Sequence, residues 1–277
     1  MKTKIQAVCV GLAALLFAAP SWADVRDIIA SDRSVEFDAG LHTIQYGETN
    51  SGATLDTENG NLVGFNLGGT WIMSPDVPTF HDVYIHADLD AALGDTHYSG
   101  ATFGGTPLQQ STHDQIFVFS TKVGRAFVLG DSVLLTPFAD LGFRGWQRKL
   151  TGNGGYTEYY ENGQALGGLL LQYSPVPRLV FSATGEFGNT FGSSLKGLGG
   201  SHVNPGDSSI YQFGGKVGYT ITPKFELTAG AGFKGFGFGK SNVGVADLGG
   251  GLGLLVYEPR SFTHELTVTT GLAYHLQ

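Results

Sequence analysis

Cysteine is almost missing from this chain, with Cys9 the single thiol among 277 residues. One thiol cannot build an internal disulfide framework, so a packed core or a membrane must hold the fold together. Long apolar runs are missing as well. After Ala23 the best candidate is residues 249–257, short and diluted with glycine, against the roughly 20 apolar residues that a membrane helix needs. Charge is scarce, at 14% of residues, and its net value is -8. A chain without a basic excess is poorly suited to nucleic acid, or to an anionic lipid surface as its main partner. Phosphate loops, zinc spacings and calcium loops are absent too, so no cofactor or metal site is expected. The acidic stretch Asp56-Thr57-Glu58-Asn59-Gly60 reads as a solvated loop tip.

Glycine and aromatics are what the chain has in plenty: 43 Gly, 19 Phe and 11 Tyr. The N-terminus opens with Lys2 and Lys4, continues through an apolar stretch over residues 5–19, and reaches a small-x-small site at Ser21-Trp22-Ala23. That order of parts is the layout of a secretory signal peptide cleaved after Ala23. Residues 1–23 are therefore expected to be removed, taking Cys9 with them. Loss of Lys2 and Lys4 would move the formal charge from -8 to -10. Residues 24–33 are then expected as a periplasmic segment and residues 34–277 as the main domain.

Period-two alternation dominates that domain. In a membrane strand, alternate side chains face lipid and lumen for about ten residues. Over residues 80–90, Val83, Ile85, Ala87 and Leu89 share one face, with Tyr84, His86, Asp88 and Asp90 on the other. Residues 135–148 repeat the pattern, and further copies run through 63–73, 159–173, 179–187, 211–221 and 225–233. Four short connections carry turn residues, at 74–78, 129–132, 174–177 and 222–224. Between them lie longer polar or glycine-rich stretches, at 48–61, 94–111, 151–155, 188–208 and 239–261. Alternating short turns and long loops predict an all-β fold: an antiparallel up-and-down transmembrane barrel of ten strands, with eight or twelve as alternatives. Residues 243–257 read as loop or as a hairpin extension above the membrane.

Trp71, Tyr173, Tyr219, Phe225 and Tyr274 fall near predicted periplasmic strand ends, where an interfacial aromatic belt would sit. Alternation points Asp38, His42, Asp88, Asp90, Asp140, Arg144, Arg148, Glu158, Glu186, Lys216, Glu226 and Lys234 into the lumen. Buried charges need partners, so a salt-bridged network among them is expected. A narrow channel for small solutes or ions is the alternative.

The last strand holds Thr269, Gly271, Tyr274 and Leu276, in the spacing of the C-terminal signal by which outer-membrane barrels are recognised for assembly. The chain ends in Gln277 where that signal has an aromatic. With this motif the whole mature part resembles the OmpA-like and opacity-type outer membrane β-barrel superfamily. The resemblance implies a location in the outer membrane, with its lipids, lipopolysaccharide and the barrel-assembly machinery as partners. Asp88-Leu89-Asp90 also resembles the first acidic pair of ten-stranded omptin proteases, which sits at the barrel top. The facing Asp-x-His pair is lacking: Asp95-Thr96-His97 has the spacing but falls in an expected loop. No catalytic residue is assigned on the sequence. The function expected is a structural or surface-interaction barrel, then a narrow porin-like channel, then an omptin-like protease.

Overall fold

The computed structural model describes residues 24–73, 82–101, 105–152, 154–247 and 249–276. The expected signal peptide and the turn at 74–78 lie outside these residues. A short helix, α1 (Val25–Ser31), precedes fourteen strands: β1 (Ser34–Asn50), β2 (Ala53–Ile72), β3 (Val83–Ala101), β4 (Pro107–Arg125), β5 (Phe127–Gly130), β6 (Val133–Leu150) and β7 (Thr157–Val176). Then come β8 (Leu179–Lys196), β9 (His202–Val203), β10 (Ser209–Thr222), β11 (Phe225–Phe238), β12 (Gly244–Asp247), β13 (Gly253–Val256) and β14 (Arg260–His275).

Ten of these strands form a closed antiparallel barrel, in the order β1-β2-β3-β4-β6-β7-β8-β10-β11-β14 and back to β1. The short β5 continues the wall along β6, β9 caps β8, and β12 and β13 make a separate hairpin. From Ser34, the pairing crosses the wall through Thr70, His86, Lys122, Asp140, Leu166, Gly188 and Ile210. Carried one residue past the Tyr211–Gly235 pair, it continues through Phe236 and Thr263 to Tyr46, twelve residues above its start. That stagger tilts the strands by roughly 40° and leaves an interior narrow enough for long side chains to span.

The outer face divides into two zones. Its lower part is apolar: Phe37 and Leu41 on β1, Phe65 and Leu67 on β2, Phe117 and Phe119 on β4, and Leu266 and Val268 on β14 are all exposed. Higher up, the outward positions turn polar, as with Gln45, Asn59 and Asn61, Asp95 and His97, Gln115, and Lys149. Barrel walls of 14 to 20 residues per strand are far longer than the ten or so that cross a bilayer. Much of the upper barrel therefore stands above the apolar belt. The expected aromatic belt lies at the other end, where Trp71, Tyr173, Tyr219, Phe225 and Tyr274 are all exposed. Phe225 and Tyr274 meet edge to face at 5.5 Å.

Several expected loops are strand instead. Residues 48–61 form the top of the β1–β2 hairpin, whose turn is Ser51 and Gly52 alone, both with positive φ. In the same way, 94–101 and 107–111 extend β3 and β4, and 188–196 extend β8. The acidic stretch 56–60 is part of β2, and Glu58 in it is fully buried. The turn expected at 174–177 narrows to Pro177 and Arg178, because β7 runs on to Val176. Residues 243–257 hold the β12–β13 hairpin, which stays outside the ring, so the count remains ten.

The terminal strand is zipped between β11 and β1. Gly271 faces inward there, where a Cβ would run into the Asp38 carboxylate and the Phe37 carbonyl. Tyr274 points outward, Thr269 lies within β14, and the Leu276 amide donates to the Arg33 carbonyl at 2.6 Å.

Candidate functional site

The lumen starts at α1. Asp24 caps this helix by accepting from the Arg26 amide, and Ile28, fully buried, packs among Ile72, Tyr84, Leu134, Phe138 and Leu170. Around it the chain is tied to the wall: Val25 donates to the Asp131 carbonyl at 2.7 Å, Ser31 to Glu226 at 3.0 Å, and Gln172 to Asp32 at 2.9 Å. Residues 24–33, expected as a periplasmic segment, thus carry a helix seated in the lower end of the barrel.

Above α1 lie two polar cavities of about 280 and 290 Å³. Lys122, Thr184 and Thr267 line both, so the two adjoin. A chain of charges crosses them. Lys216 pairs with Glu36 at 2.6 Å, Lys122 pairs with Glu186, and Arg144 pairs with Glu265. His275 lies 3.4 Å from Glu226, and Thr228 donates to Asp38 at 2.7 Å. His86 lies 3.2 Å from Asp88 and 2.8 Å from the Thr70 hydroxyl, while His42 lies 3.8 Å from Asp90. Asp140 is buried beside them. Among the described residues, Lys234 has no carboxylate within 4.0 Å and borders the upper cavity.

A layer of rings and arginines closes the lumen above. Arg144, Trp146 and Arg148 alternate inward along β6, and all three are about 1% exposed. The Arg144 guanidinium lies over the Phe236 ring at 3.9 Å and that of Arg148 over Tyr46 at 4.2 Å. Trp146 meets Tyr46 edge to face at 5.3 Å and Tyr160 at 5.7 Å, and Tyr160 meets Phe238 at 5.1 Å. Ile44, Leu62, Ile116, Leu195 and Ile210 pack the gaps between these rings. The cluster draws a side chain from every strand of the ring except β14.

Over this roof sits an acidic cluster, level with polar outward residues and so above the belt. Arg148 reaches Glu58 at 2.8 Å and Glu158 at 2.7 Å, with Glu48 at 4.0 Å. Glu258 accepts from Tyr160 at 2.8 Å and Tyr46 at 3.2 Å. The Thr96 hydroxyl lies 2.6 Å from Asp114 and 2.8 Å from Glu58, and Trp146 donates its indole N–H to Asp114 at 2.8 Å. One hydroxyl has one proton to give, so one of these two acids must itself donate to Thr96. Burial and the neighbouring Glu58 charge push Asp114 up to about 7, which makes it the protonated partner. Burial would raise Glu58 as well, but the Arg148 charge and its hydrogen bonds outweigh that and hold it below the usual range. Burial and Glu158 push Glu258 up to about 8. Glu48 is raised for the same reason, by burial and then by Glu258.

The structure places these twelve residues at inward positions of their strands; Arg144 and Arg148 are buried against acids, and the partly exposed Lys216 pairs with Glu36. The partners are largely residues the sequence reading passed over: Glu36, Glu58, Glu265 and Lys122. Extending the same alternation along β2 and β4 would have found Glu58 and Asp114. Asp88 and Asp90 lie beneath the roof, not at the barrel top where the omptin resemblance would put them. Asp95 and His97 sit on β3 and face outward, where Asp95 pairs with His113 at 2.9 Å. No cluster of three or more His, Cys, Asp or Glu with the geometry to hold a metal ion occurs among the described residues.

No family model matches the chain, and no curated protein matches it. Solved structures do. The outer membrane protease OmpT from Escherichia coli is 11% identical, with a TM-score of 0.61 over 89% of this chain and 98% of that one. The translocator domain of the autotransporter NalP from Neisseria meningitidis is 13% identical, with a TM-score of 0.39 over 98% and 97%. The toluene transporter TodX from P. putida is 12% identical, with a TM-score of 0.35 over 95% and 94%. At these identities the likeness to OmpT is one of fold.

Proposed function

We propose that the protein is a non-enzymatic barrel of the bacterial outer membrane, exported by a signal peptide cleaved after Ala23, with a structural or surface-interaction role. The observation that carries this reading is the double closure of its lumen. α1 fills the lower end and the Arg144–Trp146–Arg148 layer fills the upper part. Ion pairs anchored on both sides of the barrel hold the charged side chains in place, which suits a strut better than a conduit. The apolar belt and the aromatic girdle at the plugged end support the membrane setting, with α1 on the periplasmic side. The β12–β13 hairpin supports the surface role, since Val245 and Leu255 are exposed above the wall. Lipopolysaccharide and the assembly machinery are the partners expected of such a barrel.

Reconstitution in a planar bilayer tests the closed lumen. Silence in several salts is expected, and stable stepwise conductance would overturn it. A narrow channel is the second reading, favoured by the two adjoining polar cavities beneath the roof.

A further inference from the structure

Between α1 and the layer of rings and arginines, carboxyls outnumber the cations that could neutralise them. Asp88, Asp90, Asp140, Glu186 and Glu265 line the upper cavity. Asp32 lines the lower one, and Glu36, Asp38 and Glu226 are buried at the same end of the barrel. Among the described residues, four fixed cations stand against these nine: Lys122, Lys216, Lys234 and Arg144. Charging His42, His86 and His275 as well would still leave a formal surplus of two negative charges. Charges held out of water need a counter-charge close by.

The hydrogen bonds of the two cavities point the same way. Asp140 and Glu186 are 2% and 4% exposed, and each has a carboxyl oxygen with no partner among the described residues. In the lower cavity Asp32 and Gln172, 6% and 3% exposed, each have one such oxygen. All four atoms are acceptors, and among the described residues no buried donor on a lining residue lacks a partner. The walls therefore call for N–H or O–H groups from within the cavities. Between the two places the wall is apolar and low. Phe138 lies one inward step below Asp140 on β6, and Leu170 one above Gln172 on β7; both line the lower cavity. Gly214 borders both cavities, and a Cβ there would meet only the Ala231 carbonyl, at 3.6 Å. Lys122 already sits in this setting, its ammonium bonded to Glu186 and 5.1 Å from the centre of the Phe138 ring.

We propose that the adjoining cavities hold a linear alkyl polyamine, with one ammonium group on Asp140 and Glu186, another on Asp32 and Gln172, and its methylenes along Phe138 and Leu170. Donors at both ends, at least two positive charges and an apolar middle are what the walls select. A single metal ion does not meet them, because the four acceptors lie in two separate pairs and no metal-holding cluster occurs among the described residues. The inference rests on the closed lumen of the reading above and adds an occupant to it.

Refolding the barrel in detergent with spermidine, removing the excess by gel filtration and counting bound amine by native mass spectrometry tests it. Wild type is expected to keep one spermidine per barrel. Asp140→Asn combined with Glu186→Gln, which preserves size but removes both charges, should retain it several-fold less. Gly214→Leu, which fills the space from the β10 wall, should do the same. Glu258→Gln, in the acidic cluster above the rings, should match wild type. Heat-modified gel mobility reads whether each variant has folded, and Asp140→Asn alone is the milder change if the double variant has not. Equal retention by all variants, a loss confined to Glu258→Gln, or no retention by wild type would overturn the site. The last result is the one expected if Asp140 and Glu186 instead share a proton. Retention of an alkanediol of like length as strong as that of spermidine would overturn the assignment to a polyamine. Planar bilayers separate the two failures: a silent barrel that keeps no spermidine sinks only the site, and a conducting one sinks the closed lumen.

Discussion

Arg148 and Glu58 meet 2.8 Å apart inside the barrel, joining β6 to β2 across two intervening strands. Both are buried, and the attraction offsets their loss of hydration only while each has the other. Among the described residues Arg148 is the cation that ion-pairs with the acids above the roof, which makes it a structural keystone, and the first prediction concerns it.

Arg148→Met should destabilise the barrel by about 3–5 kcal/mol, the usual cost of stripping one partner from a buried ion pair. Tryptophan fluorescence during urea unfolding measures this. Arg148→Lys should recover only part of the loss, since an ammonium keeps a charge but not the flat stacking over Tyr46. Full recovery by lysine would show that stacking contributes nothing.

Asp114 sets a pH dependence with a definite sign. Its folded pKa is about 7 against an ordinary 3.8, so between these values the folded chain holds a proton that the unfolded chain has released. Stability should fall as pH rises through that window, at up to about 1.4 kcal/mol per pH unit. Glu258 adds to the same slope up to about pH 8. Asp114→Asn mimics the protonated acid, so it should flatten the slope and exceed wild type in stability above pH 7. Trp146 fluorescence should lose any transition near pH 7 in that variant, because the indole donates to this side chain.

Both closures of the lumen should have to fail before ions pass. Deleting residues 24–31 alone should leave planar bilayers silent, because the packed ring cluster on β1, β6, β7 and β11 stays in place. Combining that deletion with Trp146→Ala and Arg144→Ala should open a path. Conductance from the deletion alone would place the seal at α1.

Gly271 should tolerate no side chain. Gly271→Ala would drive a methyl group into the Asp38 carboxylate and the backbone of β1. A loss of roughly 1–3 kcal/mol is expected from such overpacking, read as a lower unfolding temperature in heat-modified gel mobility. Gly167→Ala, in open space, is the control and should match wild type.

The barrel itself was legible wherever one face met the belt and the other the lumen. Phe65 and Leu67 alternating with Gly64 and Asn66 is such a stretch, and the ten strands follow from counting these. Above the belt the contrast disappears. Asn59 and Asn61 face outward while Glu58 and Gly60 face inward, so both sides read as polar and the strand looks like a loop. For that reason Glu58 and Asp114, which organise the upper cluster, were missed, although Arg148 beside them was found. The α1 plug was missed on other grounds: seven residues with one fully buried side chain, Ile28, give no periodicity to detect.

The seam between β1 and β14 joins sixteen residue pairs, from Ser34–His275 to Thr49–Arg260. It links the first strand of the wall to the last, so it cannot form until the final stretch of chain is present. Every shorter length leaves two open sheet edges, each a row of unpaired amides and carbonyls with no place in hydrocarbon. Shortening the chain from its C-terminus should thus act as an all-or-none event, with the entire ring failing at once when the seam is lost.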